Sequence, residues 1–239
     1  MRTLTIIIPA FNEEKSIEQV INTIPNSPSI EQKVLVIDDG SNDNTLFYAK
    51  RQGAEIISNK RKLGLGSVFK LGLAYALKEN SDIILILDAD GQYESYGINQ
   101  LIRPIVEANY DLVIGNRFIN PGSFGSSIFK RLGNKFISTF ISKLLLRLDI
   151  IYDIQSSYRA FSRKLAIFIN NNIKAKYNYA QEMFILASLN KFKIKQIPVK
   201  CKKRKSGKSR LIRNPFLHFF RVLWISLKTF IVNINKVIS

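Results

Sequence analysis

The chain has 239 residues, 46% of them hydrophobic, with a formal net charge of +18. That length suits one large domain with room for an appendage, and the apolar content excludes a disordered chain. The one cysteine, Cys201, excludes an internal disulfide and points to a reducing compartment, while the one histidine, His218, argues against a Ser-His-Asp triad or a His-rich metal centre.

The charge is unevenly spread. Residues 1–119 carry 12 Lys/Arg against 15 Asp/Glu, a net of −3. Residues 120–239 carry 24 Lys/Arg against three acids (Asp149, Asp153 and Glu182), a net of +21. The first half suits a cation; the second suits phosphate or an anionic surface.

The first half alternates strands and helices. Thr3–Pro9 reads as a strand, followed by a helix over Glu13–Ile24 with Asn12 as its N-cap. Lys33–Ile37 is an apolar strand ending at Asp38-Asp39. Asp43–Arg51 is helical, Ala54–Ser58 a short strand, Gly66–Lys78 a helix and Asp82–Leu87 a strand. A helix near Ile98–Ala108 and a strand at Asp111–Ile114 continue the pattern. Such alternation predicts a three-layer α/β/α fold with a mostly parallel sheet. Ile6-Ile7-Ile8 is too short to be a signal-peptide core.

The second half reads differently. Leu132–Leu148 predicts an amphipathic helix, Leu165–Asn171 and Gln181–Leu189 further helices, and Lys193–Val199 a strand. Lys200–Arg213 packs eight Lys/Arg into 14 residues with no acid. Pro215–Val232 is an apolar helix carrying a polar stripe of Asn214, His218, Arg221 and Lys228 along its face and flank. A charge at a bilayer centre costs roughly 2.5–3.5 kcal/mol, so this segment is expected to lie in a membrane interface rather than span one. The expected division is a main domain over 1–212, with halves 1–119 and 120–212, and an interfacial helix over 213–239.

Three strands end in polar loops: Pro9-Ala10-Phe11-Asn12-Glu13, Asp38-Asp39-Gly40-Ser41-Asn42-Asp43, and Asp88-Ala89-Asp90-Gly91-Gln92. Alternate residues of an extended chain point the same way, so Asp88 and Asp90 can share one divalent cation, with Gln92 as a neutral oxygen donor. Hard oxygen ligands suit Mg²⁺ or Mn²⁺ bound together with phosphates. Ser41 and Asp43 read as helix-capping residues.

These loops resemble the family 2 glycosyltransferases of the GT-A fold. Further markers resemble the polyprenyl-phosphate branch, the dolichyl-phosphate mannose and glucose synthases. They are Gly64-Leu65-Gly66, Gly115-Asn116-Arg117-Phe118, Asp153-Ile154-Gln155-Ser156-Ser157-Tyr158-Arg159, Glu182, and Arg204-Lys205-Ser206-Gly207-Lys208-Ser209. Ser157 stands where the resemblance leads one to expect glycine, which puts the backbone of that turn in question.

The resemblance implies an inverting, metal-dependent transfer of a hexose from a GDP- or UDP-linked donor to a dolichyl or undecaprenyl phosphate. Pro9, Phe11, Glu13, Asp38, Asp39, Asp88 and Ala89 would hold the nucleotide-sugar. Asp88, Asp90 and Gln92 would hold Mg²⁺ or Mn²⁺. Arg117, Arg131, Arg159, Arg204, Lys205 and Lys208 would meet the acceptor phosphate. Asp90, Arg117, Arg131 and Glu182 would carry the chemistry. An anionic lipid phosphate needs no strong general base, in keeping with the scarcity of acids after residue 119. The implied setting is the cytoplasmic face of a membrane, with a homo-oligomer open. A non-processive transferase acting on a glycan hydroxyl, in cell-surface polysaccharide synthesis, is the alternative; it would need a carboxylate base, for which Glu182 and then Asp153 are the candidates. A basic nucleic-acid-binding module leaves the strand-end motifs unexplained, so no nucleic acid partner is expected.

Overall fold

A computed structural model describes residues 1–119, 128–174, 178–203 and 215–238. The first half runs β1 (Arg2–Ala10), α1 (Ile17–Asn22), β2 (Ile30–Asp38), α2 (Thr45–Arg51), β3 (Glu55–Ser58), α3 (Leu65–Lys78), β4 (Ile83–Ile86), α4 (Ile98–Ala108) and β5 (Leu112–Asn116). The second half runs α5 (Ile128–Thr139), β6 (Arg159–Ser162), α6 (Arg163–Asn172), α7 (Tyr179–Leu189), β7 (Ile194–Pro198) and α8 (Pro215–Ile238). The helix expected over Leu132–Leu148 is α5 followed by a wider π-type segment at Phe140–Leu145.

The strands form one seven-stranded sheet in the order β3-β2-β1-β4-β6-β5-β7. Neighbours are parallel except at β6, which runs antiparallel to both β4 and β5. The expected α/β/α layering with a mostly parallel sheet is therefore the observed architecture. The middle of β1, the end of β2, β4 and most of β5 are apolar and buried because both faces of the sheet centre are covered. On one face Ile7, Ile37, Ile86 and Ile114 meet Phe69 and Leu73 of α3, Leu165 of α6 and Phe184 of α7. On the other, Ile6, Ile8, Leu85 and Val113 meet Ile17 and Val20 of α1 and Leu101 and Ile105 of α4. Helix α3 lies so close to β1 that a Cβ at Gly72 would stand 2.7 Å from Ile7 Cγ2.

Two expectations need correction. Helix α1 starts at Ile17, with Ser16 rather than Asn12 at its cap position. Asn12 takes a left-handed backbone (φ 54°), and its side chain bridges to the next loop by accepting from the Asn42 N–H at 2.8 Å. Strand β6 has no counterpart among the expected elements. Its four residues open on a charged one, and only their insertion between β4 and β5 makes them a strand.

Candidate active site

The sheet brings the three polar loops together. β1 lies between β2 and β4, so residues 9–13, 38–43 and 88–92 leave adjacent strands at one edge, where open α/β sheets bind ligands. Asp88 and Asp90 are part-exposed there, while the Ala89 methyl between them is buried in the core. That is the alternation expected of an extended chain. Gly91 (φ 70°) turns the chain afterwards, as only glycine does readily. Each acid receives a fixed donor: the Ser157 hydroxyl donates to Asp88 Oδ2, and the Gln92 N–H to Asp90 Oδ1 at 3.1 Å.

Asp38 and Asp39 are built into the walls. Asp38 is 1% exposed and accepts from the Ser41 N–H and hydroxyl and from the Ser58 hydroxyl at 3.1 Å. Asp39 accepts from Leu63 N at 2.7 Å and Gly64 N at 3.0 Å, anchoring the segment that opens α3. In this arrangement both carboxylates tie neighbouring loops together at the strand ends. Gly40 (φ 80°) lets residues 61 and 62 pass over it, with the Arg61 carbonyl carbon 3.1 Å from where a Cβ would stand. Pro9 and Phe11 are half-buried, and the Lys62 ammonium sits 3.9 Å from the centre of the Phe11 ring. Glu13 accepts from the Ser16 hydroxyl at 3.2 Å. Ser41 braces Asp38 and Asn12 instead of capping a helix, whereas Asp43 does hold the turn into α2 through the Thr45 N–H at 3.0 Å.

The acidic loop is stitched to the start of the basic run. Lys202 N donates to the Gln92 carbonyl at 2.7 Å, and Gln92 Nε2 donates to the Lys202 carbonyl at 3.0 Å. Tyr93 and Cys201 form an antiparallel bridge, and Lys202 Nζ meets Glu94 at 2.8 Å. Gln92 is thus a cross-link, with its amide nitrogen engaged by Lys202.

The family model for glycosyl transferase family 2 matches residues 5–168. The chain belongs to that family. It is 32% identical over 218 residues to a UDP-N-acetylglucosamine–dolichyl-phosphate N-acetylglucosaminyltransferase of Methanococcus voltae, covering 83% of this chain and 85% of that one. It is 27% identical over 219 residues to a polyprenol monophosphomannose synthase of Mycolicibacterium smegmatis, covering 88% and 81% of the two chains. Among solved structures it resembles the GT-A glucosyl-3-phosphoglycerate synthase of Mycobacterium tuberculosis bound to UDP. The TM-score is 0.71 at 20% identity, over 96% of this chain and 80% of that one, which speaks for a shared GT-A fold.

In this glycosyltransferase Asp88 and Asp90 suit a divalent cation. Among the described residues no group of three or more His, Cys, Asp and Glu gathers to enclose one. Two hard carboxylates on an open edge fit Mg²⁺ or Mn²⁺ that takes its other ligands from phosphates and water. The arginines are placed differently from one another. Arg159 is fully buried and donates to the carbonyls of Ile154 (3.1 Å), Ser156 (3.0 Å) and Ala180 (2.9 Å). Burial pushes its pKa down. It ties β6 to α7 and is not presented to an acceptor phosphate. Arg117, 13% exposed, is locked to fully buried Asp153, its Nε donating at 2.7 Å and Nη2 at 2.8 Å. Burial alone would lower the Arg117 pKa, but the Asp153 carboxylate outweighs it and holds the group above its ordinary value. Glu182, 6% exposed in the first turn of α7, accepts from the Lys174 N–H at 2.9 Å. Arg131 is half-buried on α5, and Arg204, Lys205 and Lys208 lie outside the described residues. Lys62 escapes sequence analysis because nothing local distinguishes it from other surface lysines, whereas Lys202 lies in the basic run but its pairing with Gln92 is visible only in the fold.

Proposed function

We propose that this glycosyltransferase moves a hexose from a nucleoside diphosphate-sugar to a polyprenyl phosphate, with inversion at the anomeric carbon. The observation that carries this reading is the pairing of residues 92–94 with residues 201 and 202. It sets the beginning of the basic run two residues from Asp90, next to where a leaving diphosphate would be held. The relatives from M. voltae and M. smegmatis, named for transfer to dolichyl phosphate and for polyprenol monophosphomannose synthesis, support the lipid-phosphate acceptor.

In this reading Asp88 and Asp90 hold Mg²⁺ or Mn²⁺, with Gln92 beside them. The cation supplies charge neutralisation for the departing nucleoside diphosphate. Phe11 and the loops tied by Asp38 and Asp39 hold the nucleoside of a GDP- or UDP-linked sugar. An acceptor phosphate oxygen attacks the anomeric carbon as the bond to the diphosphate oxygen breaks, and no proton has to be removed first. Arg131 and the basic residues after Lys203 orient that phosphate.

The lipid is met at a membrane surface, which we place at the cytoplasmic face. No helix of the described residues is long and apolar enough to cross a membrane. Helix α8 nonetheless exposes Phe220 and Trp224, and α5 with its π-type extension exposes Leu132, Phe136 and Leu144. An apolar surface flanked by Arg221, Lys228 and Lys135 suits an anionic leaflet, where each cation contributes about 1 kcal/mol.

The test combines purified protein, polyprenyl phosphate and a panel of nucleotide-sugars with and without Mn²⁺. Labelled sugar in the lipid fraction is expected, only with metal present. Transfer to a soluble glycan, with none to lipid phosphate, would select the alternative acceptor.

A further inference from the structure

Strand β6 turns the sheet's direction in the middle, and this has a chemical consequence at Asp88. Its antiparallel pairing with β4 runs from Ile83 opposite Ser162 to Ile86 opposite Arg159. The same register continued two residues places Ser157 opposite Asp88. Residues opposite each other on antiparallel strands put their side chains on one face at short range, and the Ser157 hydroxyl donates to Asp88 Oδ2. We infer that Ser157 is a positioning residue for the cation site: its hydroxyl sets the orientation in which Asp88 meets a divalent metal. This rests on the reading of Asp88 and Asp90 as that site.

Four observations carry the inference. Ser157 is absent from the residues with a left-handed backbone, so the turn does not demand glycine and the side chain is free to serve another purpose. The sheet does not need the bond, since the β4–β6 ladder, Leu87 N to the Ile7 carbonyl (3.0 Å) and Gly115 N to the Tyr158 carbonyl (2.9 Å) already hold the strands. The donor is a neutral hydroxyl. A lysine or arginine in its place would compete with the cation for the carboxylate, whereas a hydroxyl orients the carboxylate without bringing a competing charge of its own. Finally, the second acid has a donor of its own in the local Gln92 N–H. Asp90 accepts from within its own turn, whereas Asp88 accepts from a residue 69 positions away in the chain.

The test follows Mn²⁺ binding to the full-length protein by electron paramagnetic resonance, with UDP or GDP present, alongside thermal melts. S157A and S157G should each weaken Mn²⁺ about tenfold, in the range for lost outer partners of metal ligands, while melting like the wild type. S157T, which keeps the hydroxyl, should bind Mn²⁺ like the wild type. The Mn²⁺ concentration giving half-maximal transfer should rise in S157A, with kcat at saturating Mn²⁺ preserved. Unchanged Mn²⁺ affinity in S157A and S157G would overturn the positioning role and leave the site reading intact. Equal weakening in S157T would also overturn it, by assigning the effect to packing. A wild type that retains no Mn²⁺ with either nucleotide would instead refute the site itself.

Discussion

Replacing Asp153 with alanine removes the acceptor of three bonds from Arg117: its backbone N–H at 3.0 Å, Nε at 2.7 Å and Nη2 at 2.8 Å. The carboxylate is 0% exposed and the guanidinium 13%, so water cannot readily take its place. Removing one partner of a buried pair costs about 3–5 kcal/mol, and an orphaned buried N–H adds about 1–3 kcal/mol. Arg117 keeps other interactions, which brings the expected loss to about 4 kcal/mol. With a urea m-value of about 2.5 kcal/mol/M, the midpoint should fall by about 1.5 M, read by circular dichroism. The double variant Arg117→Met/Asp153→Leu replaces the pair with apolar bulk and should recover at least half of that loss, since such replacements are often neutral. It should fold and yet transfer no sugar if Arg117 also meets a phosphate. A midpoint for Asp153→Ala within about 0.3 M of the wild type would refute the stability argument. Full activity of the folded double variant would remove Arg117 from the chemistry.

Asp90→Ala should lower kcat/KM about 10²–10³-fold, as for loss of a main transition-state electrostatic contact, and EDTA should abolish wild-type transfer until Mn²⁺ is restored; wild-type rates in the variant would sink the metal assignment. Gly72→Ala places a Cβ 2.7 Å from Ile7 Cγ2 and should cost about 1–3 kcal/mol in urea titrations; an unchanged midpoint would mean that α3 and β1 separate freely. Trp224 is the one tryptophan and 67% exposed. Its emission should shift to the blue with phosphatidylglycerol vesicles and return with salt, and an unmoved spectrum at excess lipid would exclude α8 from the membrane interface.

Much of the site is legible in the amino-acid sequence because its signals are local. An apolar run followed by carboxylates marks a buried strand and its polar end, and three such ends announce one ligand-binding edge. Asp88, Ala89 and Asp90 alternate as an extended chain must, whatever surrounds them. The polarity split between residues 1–119 and 120–239 is likewise a property of composition alone. What a one-dimensional reading misses are the partners. Arg159 takes a phosphate role only from the family resemblance; its burial against the carbonyls of residues 154, 156 and 180 depends on where β6 and α7 meet. Asn12 reads as a cap because nothing in its neighbourhood reveals that Asn42 lies beside it.

Six of the seven strands, the acidic edge and the family resemblance are thus written in short-range pattern, while β6 is not. How that edge is held depends on contacts between segments far apart in the chain. The antiparallel β6 delivers Ser157 to Asp88, and Lys202 joins Gln92 across 110 positions of chain. The reason is physical. Hydrophobic periodicity acts between near neighbours and survives in the linear text, whereas a hydrogen bond between distant segments exists only once the sheet order has brought its donor and acceptor within reach.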